Sequence, residues 1–371
     1  MNILLLGGGL QSLSVGESLK RLGWVVDVVS GEPSVLQSRL FHKKYHYGGA
    51  EYQQHLDDIF SDEKYDVVIP MGDKQVSFLS KNKHQVEADY HVKCAVPDYE
   101  AFSTVEDKSR FMEFCRENGF PHPLTAPIVD DKLEDVAEAV PFPALIKPDF
   151  SVGSRGITRV NSVDEFQALY PQVKKQYGPC TLQEFIDNPD YYFNVMLYRD
   201  RNGHHACHAI SKIVRKYPIN AGSSSCCFSI EDKKLEEICW AVLDRLNWHG
   251  MADFDVLQRK DTFEYKIIEI NPRVPASLRV AYVSNVNFPE AIVRDMMNED
   301  VPNYNYKPGK TLRYMGLDIL WLLNSPQRFS MLSSWLNFFG PNVYYQDIIG
   351  GDSSTWFSWL MEGMRKLVKR K

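Results

Sequence analysis

The chain has 371 residues, of which 44% are hydrophobic and 24% are charged, so it can bury a core large enough for two or three structural units. Its net charge of −6 argues against general nucleic-acid binding, which requires a basic surface. The sequence shows no signal-peptide pattern and no membrane-length apolar run, and its seven scattered cysteines lack metal-binding spacing. We therefore expect a soluble, cytoplasmic protein with reduced thiols.

The first hundred residues have the pattern of a small α/β unit with a parallel sheet. The predicted strands are Asn2–Leu6, Trp24–Val29, Asp66–Pro70 and His91–Ala95, and a helix is predicted over Leu10–Leu22. The glycine turn at Gly7-Gly8-Gly9 can bind an anion at a helix N-terminus, or it can simply let the helix and the strand pack closely. Asp73 follows a strand and is expected at the carboxyl edge of the sheet, where such folds bind ligands.

A lysine and a glycine-rich segment stand close together in the middle of the chain. Phe142–Lys147 is predicted to be a buried strand whose terminal lysine either reaches solvent or meets an anion. The segment that follows combines small hydroxyl residues and glycines, namely Ser151, Gly153, Ser154 and Gly156. Such a string lets backbone N–H groups approach phosphate oxygens, whereas taken alone it is more often a flexible hairpin loop. The lysine just upstream favours a phosphate site.

Helical and strand patterns alternate from Asp107 to Leu246. Helices are predicted over Asp107–Asn118, Ser162–Tyr177 and Leu235–Leu246, and strands over Thr181–Ile186, Asn194–Arg199 and His205–Val214. Lys212 and Arg215 add positive charge at the end of the last of these strands.

Acidic residues recur in the predicted hairpin Gly250–Ser277. If Asp261 lies at the centre of an odd-numbered loop, Asp253 lies directly opposite Glu269. Asp255 and Asn271 then fall on the same face, because residues two apart along a strand point the same way. An even-numbered loop would place Glu269 on the other face.

These acids predict a metal site. Like charges at this distance destabilise a sheet unless a positive charge lies among them. Oxygen ligands without Cys or His favour Mg²⁺ or Mn²⁺ over zinc. The alternative is an acidic solvent face of an ordinary hairpin, but Asn271-Pro272-Arg273 supplies an amide oxygen and a cation beside the acids.

Together these motifs resemble the ATP-grasp superfamily, in particular its carbamoyl-phosphate-synthetase-like and carboxylate–amine ligase branch, up to about Asp300. The resemblance implies a fold that is α/β plus α+β. It implies a pre-ATP-grasp parallel α/β domain at 1–97 and a two-lobed ATP-grasp domain with antiparallel sheets at 98–305, divided into lobes 98–180 and 181–305. A helical extension is expected at 306–371.

The resemblance also implies roles for individual residues. Lys108 and Lys147 are similar to two nucleotide-binding lysines, and Ser151, Gly153, Ser154 and Gly156 to a loop over the phosphates. Gln183, Glu184, Phe185 and Ile186 resemble the hinge that meets adenine and ribose. Asp253, Glu269 and Asn271 resemble ligands of Mg²⁺ (or Mn²⁺), with Asp255 able to share that role, and Lys212, Arg215 and Arg273 resemble the catalytic cations.

The function implied by the resemblance is ATP-dependent ligation of a small carboxylate and an amine through an acyl phosphate. One alternative is activation of bicarbonate, as in carbamoyl-phosphate synthesis. The lack of a second ATP-grasp half and of a biotinyl Met-Lys-Met segment argues against most such enzymes. A non-catalytic ATP-binding regulatory module is the other alternative, disfavoured because Lys147, Glu269 and Asn271 are all present.

The C-terminal segment Trp356–Lys371 repeats apolar residues at helical spacing and ends in a cluster of cations. It predicts either a basic amphipathic helix in weak contact with an anionic membrane surface or a docked helix whose cations favour its dipole. Assembly into a homo-oligomer is also compatible with the sequence.

Overall fold

A computed structural model describes residues 1–150, 155–219 and 222–347. Ser151, Gly153 and Ser154 of the predicted phosphate loop and the predicted tail helix Trp356–Lys371 lie outside these residues. The described part contains a five-stranded parallel sheet, a four-stranded antiparallel sheet and a mostly antiparallel sheet of seven strands. The predicted fold class, a parallel α/β unit followed by two lobes built on antiparallel sheets, is confirmed.

The N-terminal unit is the parallel sheet, with strand order β3-β2-β1-β4-β5. Its strands are β1 (Asn2–Leu6), β2 (Val25–Val29), β3 (Lys44–Tyr45), β4 (Val67–Pro70) and β5 (Lys93–Cys94), and its helices are α1 (Leu10–Arg21), α2 (Pro33–Gln37), α3 (Leu56–Asp62) and α4 (Asp73–Tyr90). Strand β1 is apolar from Ile3 to Leu6 because it packs on both faces. Ile3 and Leu5 join one core, and Leu4 and Leu6 join another.

The first lobe is the four-stranded sheet, with order β6-β9-β7-β8. Its elements are α5 (Tyr99–Glu106), α6 (Lys108–Glu117), β6 (Thr125–Pro127), α7 (Leu133–Ala139), β7 (Ala144–Pro148), β8 (Thr158–Val160), α8 (Val163–Tyr177) and β9 (Cys180–Glu184). Ala144, Ile146 and Leu182 pack with residues of α7 and α8. Because side chains alternate along a strand, Lys147 points to the opposite face of the sheet.

The second lobe is the large sheet, with order β14-β13-β10-β11-β12-β15-β16. Its first elements are β10 (Tyr192–Arg199), β11 (His205–Tyr217), β12 (Ser223–Ile230), α9 (Lys233–Arg245), β13 (Gly250–Gln258), β14 (Tyr265–Asn271), α10 (Arg279–Val283) and α11 (Phe288–Met296). One face of the sheet packs on α6 and α9, and the other packs on α10, α11 and the parallel unit.

The segment after residue 305 is not purely helical. Its elements are β15 (Thr311–Arg313), α12 (Met315–Asn324), α13 (Leu332–Trp335) and β16 (Val343–Tyr345). The expectation of a helical extension at 306–371 is correct for α12 and α13 and wrong for Val343–Tyr345 and Thr311–Arg313. That strand pairs with β12 and buries Leu312, so it satisfies backbone groups that β12 would otherwise leave at a sheet edge.

Candidate active site

The acidic residues of the β13–β14 hairpin lie on one face of the sheet, but in a different register from the predicted one. Asp253 pairs with Asn271, and Asp255 pairs with Glu269. The predicted direct opposition of Asp253 and Glu269 is therefore wrong, whereas the prediction that all four side chains share a face is correct, because directly paired residues point the same way.

A β-bulge explains this outcome. Gln258 pairs with Tyr265, so the turn has an even number of residues, the case expected to place Glu269 on the far face. The register then shifts, because Asp255 pairs with Glu269 while Val256 pairs with Ile267. The extra residue, Ile268, restores the alternation and brings Glu269 back beside Asp255.

The carboxylates of this cluster lack sufficient positive charge. Asp253 is deeply buried, and its Oδ1 has no hydrogen-bond partner. Burial raises the pKa of Asp253 well above its ordinary value, with Arg273 acting in the opposite direction. The pKa of Asp255 is also raised well above its ordinary value by burial, by the nearby charge of Glu269 and by that of Asp253. Such buried like charges favour a bound cation.

The donor set fits a hard divalent cation. Within residues 1–150, 155–219 and 222–347, no three His, Cys, Asp or Glu side chains already converge as a metal centre. The hairpin nevertheless offers carboxylate and amide oxygens only, the ligands that Mg²⁺ prefers, and one buried carboxylate oxygen without a partner. The predicted ligands Asp253, Glu269 and Asn271 would hold such an ion, and Asp255, which pairs with Glu269, would share that role.

The first lobe presents a polar face toward this cluster. Lys147 is 5% exposed, and its Nζ donates a hydrogen bond to Gln183 Oε1 at 3.0 Å. Burial lowers the pKa of Lys147 to about 8, while Glu269 and Asp255 raise it and Lys108 lowers it. These electrostatic interactions indicate that Lys108 and Lys147 of the first lobe lie near the hairpin acids of the second lobe.

The hinge between the lobes is held by contacts of both its side chains and its backbone. Gln183 also donates to Thr125, and Phe185 lies under the guanidinium of Arg159, with 4.1 Å from Arg159 Cζ to the ring centroid. Ile186 is buried. Glu184, expected to meet a ribose, accepts hydrogen bonds from Leu124 N at 3.1 Å and from Arg259 of the hairpin turn. The Arg259 contact ties the hinge to the hairpin of the second lobe.

Gly156 lies at the end of the predicted phosphate loop and has a left-handed backbone with φ of +78°. A Cβ atom at Gly156 would lie 2.7 Å from the ring of Tyr177 and 2.9 Å from Pro148. Glycine is therefore required here by both backbone geometry and space.

Arg273 connects the acidic cluster to the parallel unit. Its Nε lies 2.6 Å from Asp73 Oδ1, and its Nη2 lies 3.4 Å from Asp73 Oδ2. Asp73 is the first residue of α4, at the carboxyl edge of β4, the position that the sequence indicated. Arg273 is also close enough to Asp253 and Glu269 for their charges to raise its pKa.

Strand β11 places Lys216 near the acidic residues, and not Lys212 as predicted. Lys212 pairs with Phe193, which in turn pairs with Val256, so Lys212 lies on the opposite face from Asp255. Its Nζ sits 3.5 Å from the centroid of the Tyr191 ring. The structure therefore does not bring Lys212 to the acids.

Lys216 takes that position because two irregularities separate it from Lys212. The register shifts between Ile213 and Arg215 and again between Arg215 and Lys216. Lys216 Nζ lies 5.3 Å from the Tyr192 ring centroid, and the charge of Asp255 acts on its pKa, which burial lowers. Sequence alternation alone points to Lys212, because bulges that re-aim a side chain leave no sequence signal here.

Arg215 is also separate from the acidic cluster. Its Nε lies 2.7 Å from Asp318 Oδ1, and its Nη2 lies 3.1 Å from Asp318 Oδ2. Arg313 donates to the same carboxylate at 2.6 Å. All three side chains are almost completely buried, so Arg215, expected to be a catalytic cation, instead binds a carboxylate inside the protein.

Part of the sequence is similar to known proteins that carry an ATP-grasp domain. Residues 105–277 match the model of a family described as the ATP-grasp domain. Acetyl-CoA carboxylase 1 of Arabidopsis thaliana is 28% identical over 168 residues, which cover 42% of this chain and 7% of that protein. D-aspartate ligase of Enterococcus faecium (strain Aus0004) is 23% identical over 250 residues, covering 63% of this chain and 59% of that protein. The chain thus spans less than two thirds of either relative.

A solved structure shows the same fold. The biotin carboxylase domain dimer of Hydrogenobacter thermophilus 2-oxoglutarate carboxylase, in complex with MgADP, ADP and bicarbonate, aligns with a TM-score of 0.68. The alignment covers 82% of this chain and 71% of that one at 16% identity. The match extends beyond residues 105–277 and includes much of the rest of the chain.

Proposed function

Because the chain belongs to the ATP-grasp superfamily, we propose that it is an ATP- and Mg²⁺-dependent ligase that joins a carboxylate to an amine. The observation that carries this proposal is the cleft in which Lys147 of the first lobe lies within the electrostatic influence of Glu269 and Asp255 of the second. Cations opposite acids across two lobes suit a metal–triphosphate, because the cations pair with phosphate oxygens and the acids with the metal.

The reaction has two steps. A substrate carboxylate oxygen attacks the γ-phosphorus of ATP, the bond to the β–γ bridging oxygen breaks, and an acyl phosphate and ADP result. The amine then attacks the acyl carbon, the bond to the phosphate oxygen breaks, and the amine proton is lost as the amide forms. No side chain becomes covalently attached, so the protein contributes positioning and electrostatic stabilisation.

The cations of the cleft would hold the triphosphate. Lys108, Lys147 and Lys216 neutralise phosphate oxygens, and Lys216 replaces Lys212 in that role because it lies on the face of the acids. Burial lowers the pKa of Lys147 to about 8, and the charge of a bound phosphate would raise it. A Mg²⁺ ion held by Asp253, Glu269 and Asn271, with Asp255 sharing the role, would supply charge neutralisation at the phosphoryl group.

The hinge and the parallel unit would position the two ends of the substrates. We assign the backbone of Gln183–Ile186 to adenine, and Glu184, which Arg259 fixes in place, to the ribose. Arg273 is assigned to the substrate carboxylate, because its guanidinium offers donors beyond those used by Asp73 and lies beside the metal acids. Ser151, Gly153, Ser154 and Gly156 are assigned to cover the phosphates and exclude water from the acyl phosphate.

We also propose a cytoplasmic location. All seven cysteines are free and buried, as expected for a protein kept in a reducing compartment.

The proposal is tested by measuring ADP release with a matrix of carboxylates and amines, starting with amino acids, in the presence of Mg²⁺. We expect release only when a carboxylate and an amine are supplied together, and loss of release in Lys147→Met. Lys233→Met, at a side chain that is 88% exposed on α9, is the matched control and should retain full activity. Release with bicarbonate alone would instead identify bicarbonate activation, and nucleotide binding without release under any combination would contradict a ligase.

A further inference from the structure

A cavity of about 380 Å³ opens at the carboxyl edge of the parallel sheet. Its wall is formed by the segments that follow β1, β2 and β3 and by the first turn of α4, and half of its ten described lining residues are glycines. Open parallel sheets bind small molecules at this edge, and the volume lies within the range of small-molecule sites. None of these ten residues is assigned to the ATP cleft, so the cavity is a separate feature of the protein.

The loops around the cavity are held together by hydrogen bonds. Ser30 Oγ donates to the carbonyl oxygen of Gly8 at 3.1 Å, which ties the end of β2 to the end of β1. Gln75 Nε2 donates to the carbonyl oxygen of Gly49 at 3.0 Å, which ties α4 to the loop after β3. The cavity therefore has a fixed shape, which favours binding because little ordering is needed when a ligand enters.

Two tyrosines contribute to the wall in different ways. Tyr47 is half-buried, and its ring stacks on that of His55, with 4.3 Å between the ring centroids and 10° between the planes. This stacking fixes the orientation of the Tyr47 ring. Tyr52 is 1% exposed, and its hydroxyl has no hydrogen-bond partner. A buried hydroxyl without a partner costs free energy, which a hydrogen bond to a ligand would offset.

The charge of the cavity selects the kind of ligand. Glu32, just past the end of β2, lines the cavity, whereas none of the described lining residues is Lys, Arg or His. A phosphate ester or a free carboxylate would therefore find no cationic side chain there with which to pair. Neutral hydroxyl groups can instead donate to the Glu32 carboxylate, and an acid past the second strand of a parallel sheet is a recurring acceptor for ribose hydroxyls.

We propose that this cavity binds a ribonucleoside, in addition to the nucleotide of the ATP cleft. A carboxylate accepts several hydrogen bonds, so Glu32 can receive both ribose hydroxyls. The base stacks on the ring of Tyr47, and the Tyr52 hydroxyl and the Gln75 amide offer further hydrogen bonds. Nucleoside binding here does not rest on the ligase activity, and the two are measured in separate experiments.

The test is calorimetric titration of the full-length protein with adenosine, guanosine, cytidine and uridine, in the presence of excess MgADP to occupy the cleft. We expect at least one nucleoside to bind, and its 2′-deoxy counterpart to bind at least about tenfold more weakly, because a hydroxyl that donates to a carboxylate is lost. Ribose alone should also bind at least about tenfold more weakly, because it has no base to stack on Tyr47. Equal affinity for ribose would identify a sugar site and overturn the nucleoside assignment.

Glu32→Gln and Tyr47→Ala should each lower the nucleoside affinity at least about tenfold. Glu237→Gln and Tyr99→Ala are the matched controls, at positions that are 66% and 48% exposed on α9 and α5, and should bind the nucleoside as the unmodified protein does. Unchanged circular dichroism and melting temperature establish that each variant folds. No nucleoside binding by the intact protein with or without MgADP, complete displacement of the nucleoside by MgADP, or an affinity that neither cavity substitution changes would overturn the proposal.

Discussion

The large sheet carries two buried charge clusters, one on each face, and they are built on opposite principles. On one face, Asp253, Asp255 and Glu269 gather like charges around a carboxylate oxygen that has no partner. On the other face, Arg215 and Arg313 share the carboxylate of Asp318.

The acidic cluster has the chemistry of a ligand-binding site, whereas the arginine–aspartate cluster is a structural contact. The arginine–aspartate cluster joins strands β11 and β15 to helix α12, and the three side chains are hydrogen-bonded to one another within the protein. The acidic cluster has Arg273 as a partial counter-charge, but Asp73 already occupies part of that guanidinium. A buried carboxylate oxygen without a hydrogen-bond partner therefore indicates the functional site more reliably than a basic residue in a promising sequence position.

An Asp→Asn substitution in each cluster tests this comparison with the largest expected effect. Asp255→Asn should lower kcat/KM about 10³-fold, because a metal ligand is weakened. The free energy of unfolding in the absence of ligand should stay the same or rise at neutral pH, since the raised pKa of Asp255 means that its charge is costly in the folded state. Steady-state ADP release and urea denaturation measure the two effects. Full activity in Asp255→Asn would contradict the assignment.

Asp318→Asn should have the opposite signature. Removing one carboxylate leaves two buried arginines facing each other, which should lower the free energy of unfolding by about 3–5 kcal/mol. Glu237→Gln, which breaks an exposed pair with Lys233, should cost less than about 0.5 kcal/mol and is the control for the loss of a carboxylate. Equal stability of both variants in urea would show that the buried cluster is not structural.

The re-aimed lysine gives the next largest effect. Lys216→Met should raise KM for ATP about 10–10²-fold, as expected for loss of a charge-assisted contact to phosphate. Lys212→Met removes the same charge four residues earlier in β11 but on the other face, and it should change KM for ATP less than about threefold. The reverse ranking in steady-state kinetics would show that alternation along β11, and not the register shifts, sets which lysine meets ATP.

Nucleotide binding should depend on pH through Lys147. Phosphate binds the charged lysine, whose pKa in the free protein is about 8, so affinity should fall above that value by up to about tenfold per pH unit. At lower pH the Mg²⁺-dependent part of the nucleotide affinity should also fall. The pKa values of Asp253 and Asp255 are raised, so protons compete with the metal for these carboxylates. Calorimetric titration across this range should give a maximum. Affinity that is independent of pH around 8 would argue against Lys147 as a phosphate ligand.

The smallest expected effect concerns the contact between the parallel unit and the hairpin. Asp73→Asn weakens the fixation of Arg273, so KM for the carboxylate should rise about 3–10-fold while KM for ATP changes little. Arg273→Lys should behave similarly, because an ammonium cannot reproduce the bidentate geometry. A rise confined to KM for ATP would reassign Arg273 to phosphate.

Residue types and spacing predicted much of this arrangement. The lysine that ends an apolar strand, the acids at alternate positions of the hairpin and Asp73 at the edge of a parallel sheet are local patterns, and each lies where its pattern indicates. The predictions that were wrong, namely the hairpin register and the roles of Lys212 and Arg215, depended on irregular strand pairing or on partners distant in sequence. Ile268 and the shifts around Arg215 change which residues face the cleft, and Arg215 meets Asp318, which lies 103 residues later in the chain. Neither kind of information is contained in alternation along a single strand.

The most direct test of the account is calorimetric titration of ATP into the protein with and without Mg²⁺, repeated with Glu269→Gln and Lys147→Met. The account predicts binding that requires Mg²⁺ and is weakened at least about tenfold by either substitution, one in each lobe. Binding that is equally tight without Mg²⁺, or unchanged in both variants, would contradict a metal–nucleotide site between the lobes.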